Sequence, residues 1–119
     1  NFAADPEVIT KIVAGTDTTM VLDIAHARIA ASYQKQKVKS YLANLPLDRV
    51  QQIHVSGVRE EGGTLQDRHD VMGEIDYELL DWTLGRTAPE VVTLEYFRKQ
   101  TPLANQLNRL QEIINKRHH

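Results

Sequence analysis

Cysteine is absent from the 119 residues, which removes disulfides, thiolate metal ligands and cysteine nucleophiles together and leaves the redox compartment open. Any metal must be held by imidazole and carboxylate. No apolar run approaches the roughly 20 residues that span a bilayer. The start, Asn1-Phe2-Ala3-Ala4-Asp5-Pro6, lacks the basic and apolar regions of a signal peptide. A cytoplasmic location without membrane contact is therefore expected. A surplus of either charge is missing as well: fourteen Lys and Arg face sixteen Asp and Glu, a formal net charge of -2. Without a basic excess, nucleic acid is a poor expectation as a partner. Phosphate-cradling loops are lacking too, since Gly62-Gly63 is a lone pair and no glycine fingerprint follows an apolar run. Ser32 and Ser56 have no spacing that implies a nucleophile.

What remains is a globular composition, 41% hydrophobic and 25% charged, sufficient for one domain with a modest core. A complete eight-stranded α/β barrel takes about 250 residues. The terminal His118 and His119 sit in no patterned segment and are set aside from site reasoning.

Asp5-Pro6-Glu7 has the chemistry of a helix start, with Val8, Ile9, Ile12 and Val13 on one face and Gly15 as the stop. Thr18 to Ile24 is a short β-branched, apolar run of the kind buried in a parallel sheet. Val38, Tyr41, Leu42 and Leu45 repeat at helical spacing until Pro46, and a second strand is expected from about 50 to 56. Gly57 to Gly73, rich in glycine and charge, reads as a long loop. Asp76 is the expected cap of a helix carrying Leu79, Leu80, Trp82 and Leu84, closed by Gly85 and Pro89. A third strand follows over 91–96, and Leu103, Leu107, Leu110, Ile113 and Ile114 form the apolar face of a last helix. The order is a helix followed by three β/α units, hence an α/β class with a parallel sheet in a single domain over 1–119. Three strands cannot close a barrel. Their edges and one face would lie open, so a fragment, or association with another chain or a missing half-barrel, is expected.

Functional side chains of such sheets gather beyond the C-terminal ends of the strands. Asp23 and His26 fall at the first strand's end, His54 in the second, Asp67 and His69 in the expected loop, and Glu95 near the end of the third. Each has a plain structural reading: Asp23 as a helix cap, His26 as a core histidine, Asp67 and His69 as solvated residues. Together they are a set of divalent metal ligands. A carboxylate in an apolar strand needs a partner or a metal, because an unpaired buried charge costs several kcal/mol. Iron, zinc and manganese all suit this donor set, and six ligands imply more than one ion. Trp82 reads as core packing, and Arg28, Arg59 and Arg68, which flank the cluster, read as solvated surface.

Leu22-Asp23-Ile24-Ala25-His26-Ala27 and the segment from Leu45-Pro46 through Ile53-His54-Val55-Ser56-Gly57 resemble the multinuclear non-haem iron-dependent oxidases. The likeness continues in Asp67-Arg68-His69-Asp70 and Val92-Thr93-Leu94-Glu95-Tyr96, in the same order. It implies a xylose isomerase-like TIM barrel of which this chain is the C-terminal part, about three β/α units. It further implies two or three irons at the barrel mouth and oxygen-dependent modification of cysteines in small precursor peptides, often with a partner protein. Asp23, His54, Asp67, His69 and Glu95 each match a family ligand, whereas His26 stands where many members have Asn.

Asp23-x-x-His26 and the thirteen residues from His54 to Asp67 are instead similar to zinc-dependent endonuclease IV of the same superfamily. Val55-Ser56-Gly57 replaces the acidic and basic residues usual there, so a metal-dependent phosphodiesterase is the second expectation. Sugar isomerisation rests on fold analogy alone. A catalytically inert piece that oligomerises is the non-enzymatic alternative. Both families place a Glu-Asn pair at the preceding strand's end, and with Asn1 opening the chain the expected glutamate would be the residue before it.

Overall fold

The computed structural model describes residues 19–117. The helix expected from Asp5 to Gly15 lies outside the described residues. Strand β1 (Met20–Asp23) leads directly into helix α1 (Ile24–Tyr33), and a short helix α2 (Val38–Ala43) follows. Pro46 then opens a single 3-10 turn, Leu47–Arg49, that delivers the chain into β2 (Val50–Val55). Strands β3 (Gly57–Glu61) and β4 (Thr64–Asp70) come next, then α3 (Glu74–Leu84), β5 (Val91–Leu94) and α4 (Gln100–Arg117).

β1, β2 and β5 form a parallel sheet in that order, with Asp23 beside His54 and His54 beside Thr93. Residues in register on parallel neighbours share a face. One face therefore carries Leu22, Ile53 and Val92, and these pack with Ile24, Ala27, Ala31, Leu42, Leu79, Leu80 and Leu110 of the helices into the core. The other carries Val21, Gln52 and Val91 in one layer and Asp23, His54 and Thr93 in the next. Val21 and Val91 are 50% and 47% exposed, so among the described residues nothing covers this second face. The mixed α/β arrangement with its parallel sheet is consistent with a partial TIM-barrel-like domain.

The segment from Gly57 to Gly73 is not a loop. Most of it is an antiparallel hairpin, β3 against β4, turning at Gly62 and Gly63, whose φ angles of +59° and +82° favour glycine. Two further local expectations are corrected. The N-cap of α3 is Gly73, while Asp76 sits a turn inside and accepts the Gly73 N–H at 2.8 Å. Arg28 is not solvated surface: it donates to the buried Asp76 carboxylate at 2.7 Å, tying α1 to α3. Trp82 packs against the core from its edge, with the Arg86 guanidinium 3.9 Å above its ring.

Candidate metal centre

The β1–α1 junction is abrupt, Asp23 closing the strand and Ile24 opening the helix. Asp23 is the N-cap: its Oδ1 accepts the His26 N–H at 2.9 Å. The cap fixes the carboxylate and puts His26 in the first turn of a helix, not at a strand end as expected from the sequence. Oδ2 faces the His26 ring, 3.8 Å from Nδ1.

His54 is held beside Asp23 by the β1–β2 register, and Glu95 by its N–H, which donates to the Val55 carbonyl at 2.8 Å just past β5. Asp23, His54 and Glu95 each offer a ligand atom, all within 4.8 Å of one another, and all three are half-buried. His54 Nδ1 lies 3.5 Å from Glu95 Oε1.

The other three residues come from α1 and the hairpin. His26 Nε2 is 2.6 Å from Asp67 Oδ2, and Asp67 Oδ1 is 3.5 Å from His69 Nε2. His69 Nε2 in turn is 4.0 Å from Glu95 Oε2. All six residues singled out in the sequence thus form one continuous cluster. It has two lobes, Asp23/His54/Glu95 and His26/Asp67/His69, joined through Glu95 and through Asp23. Burial pulls the His26 pKa down, but the Asp67 hydrogen bond and the charges of Asp23, Asp67 and Glu95 outweigh it and hold the imidazole above its usual range. Asp67, pushed up by burial, is drawn below the usual carboxylate range by the same hydrogen bond and by His26 and His69.

A bulge aims His69. Val58 pairs with Asp67 and Gly57 with Asp70, so Arg68 and His69 are looped out of the ladder. His69 takes φ +46°, a left-handed conformation costing a non-glycine residue roughly 1–2 kcal/mol. Gly57 makes room: a Cβ there would lie 2.1 Å from the Val71 carbonyl oxygen. Phe97, 77% exposed, stands edge-on to the His69 ring at 6.1 Å.

Arg59 and Arg68 are solvated surface as expected, and each is paired within the hairpin, Arg59 with Asp70 and Arg68 with Glu61. The sequence marks neither Asp70, beyond its place in the Asp67–Asp70 motif, nor Arg98 as a site residue. Arg98 bridges the end of β5 to the bulge, and the only sign of it in the sequence is its place three residues after Glu95.

Three carboxylates and three imidazoles, without sulfur, beyond the ends of parallel strands define a class: an α/β domain whose donor set fits divalent cations. The family can be given more closely. Residues 3–117 match the family described as RiPP precursor modification enzyme MbnB/TglH/ChrH, a family of metal-dependent enzymes, and the chain belongs to it. The UPF0276 protein of Bordetella pertussis is 31% identical over 109 residues, which cover 87% of this chain and 38% of that protein. Those of Rhizorhabdus wittichii and Caulobacter vibrioides are 28% identical over 106 residues and 30% identical over 93. They are covered over 38% and 33% of their lengths, so this chain spans well under half of the relatives it matches. No described helix is long and apolar enough to cross a membrane.

Proposed function

We propose that Asp23, His26, His54, Asp67, His69 and Glu95 are ligands of a centre of two or more divalent ions, iron foremost, in an oxidase that modifies a ribosomally made peptide. The observation that carries this reading is the group Asp23/His54/Glu95, whose ligand atoms lie within 4.8 Å of one another, with His26, Asp67 and His69 joined to it by contacts of 2.6–4.0 Å. Left as bare charges, clustered carboxylates repel, and bound cations would offset that repulsion. Iron held there would supply redox equivalents and Lewis acidity.

The protein's own residues do the holding. Asp23 keeps one oxygen on the helix cap and presents the other, the bulge delivers His69, and Glu95 stands between the two lobes, one oxygen toward His54 and the other toward His69. The remainder of a xylose isomerase-like barrel, absent from the described residues, would cover the Val21/Gln52/Val91 face and add further ligands. This chain would then be the last three β/α units, and a partner protein could present the peptide.

The test is aerobic incubation of the iron-loaded protein, extended to the length of its relatives, with a cysteine-bearing precursor peptide, with and without a partner protein. Mass spectrometry should find a changed peptide mass localised to cysteine, together with oxygen consumption. An unaltered peptide under every combination would sink the oxidase reading.

A further inference from the structure

We infer that Arg98 is a positioning residue that sets His69 and Glu95 against each other across the cluster; the inference rests on the metal-centre reading above. Arg68 and His69 are looped out of the β3–β4 ladder. Arg98 meets the backbone there: its Nη2 donates to the Arg68 carbonyl at 2.6 Å. Its Nη1 donates to Asp70 Oδ1 at 3.0 Å. The guanidinium therefore grips the residue before His69 and the residue after it, bracketing a backbone conformation that would otherwise relax.

Asp70 is itself anchored from the opposite strand, since Arg59 Nε donates to its Oδ2 at 2.9 Å. Each oxygen of one carboxylate thus holds one arginine, and the bulge is pinned from both β3 and the β5–α4 connection. Arg98 follows Glu95 by three residues, so the same clip that fixes the bulge fixes the segment carrying Glu95. Planar, forked geometry is what the task needs, because two acceptors in different directions must be met by one rigid group; a lysine ammonium on a flexible stem meets such a pair poorly.

Arg98 would act on the metal only through His69 and Glu95, as outer partners of metal ligands do, and loss of such partners lowers metal affinity by about ten- to a hundred-fold. The experiment is a manganous-ion titration of the full-length protein and its Arg98→Ala, Arg98→Lys, His69→Ala and His69→Ala/Arg98→Ala variants, read by the electron paramagnetic resonance of free ion. Arg98→Ala should weaken binding by about ten-fold or more, Arg98→Lys should recover only part of it, and Arg98→Ala should cost clearly less once His69 is gone, the remainder passing through Glu95. A purely structural arginine would give the same loss in either background. Weaker binding in His69→Ala with unchanged binding in Arg98→Ala would overturn the positioning role and leave the site standing. Unchanged binding in both single variants would overturn the site with it.

Discussion

Asp23 commits one carboxylate oxygen to the His26 N–H and leaves the other facing the cluster. The two roles can be separated. Asp23→Asn keeps an acceptor for the cap and loses the ligand charge, whereas Asp23→Ala loses both. In metal-free protein, thermal melts should place the Ala variant about 1 kcal/mol below the Asn variant, while both bind metal far more weakly than the parent. Equal stability of the two would mean that the cap contributes nothing. At this scale the sequence is informative for a physical reason. Asp and Glu are costly inside apolar strands, so Asp23 and Glu95 stand out where they occur. Arg98 and Asp70 do not stand out, because exposed arginines and aspartates are common and their value here comes from a bulge that no local pattern announces.

The hairpin shows why the segment 57–73 is opaque. Within its two strands the apolar positions are few, Val58 and Leu65, so the alternation that marks a half-buried strand is nearly absent. The glycine pair is a turn signal whose meaning depends on those weak flanking strands. By contrast, the three parallel strands and α2, α3 and α4 carry apolar patterns that the sequence shows, whereas α1 is not foreseen from it, because its buried face is made largely of alanines, Ala25, Ala27 and Ala31. Asp76 misleads in another way: it is three residues after the true cap and satisfies the Gly73 N–H from within the helix, as the acidic residue of a capping box does. The element most sensitive to a small change is the β2–β3 junction. Gly57→Ala would drive a methyl group into the backbone of Val71, and chemical denaturation should find a loss of roughly 3 kcal/mol. A near-neutral result would show that the bulge is free to shift, and with it His69.

At the level of the molecule, an α/β class with a parallel sheet is legible from the order of elements alone, while the open face is visible only once the register is known. Val21 and Val91 are half-exposed there, in the layer next to Asp23 and His54. Such a face in the isolated chain should favour self-association. Sedimentation of the 119-residue chain should therefore depend on concentration, and Val21→Lys should weaken that dependence; a monomer at all concentrations would argue that the face is tolerated by water as it stands.

The most direct measurement is elemental analysis of this chain and of a version extended upstream to the length of its relatives, each purified without chelator and without oxygen, alongside His54→Ala and Glu95→Ala variants. The expected result is more than one iron per extended chain and at least one ion fewer in each variant. Zinc in place of iron would favour hydrolytic chemistry at the same site, and no bound metal, or unchanged stoichiometry in both variants, would contradict the metal centre itself.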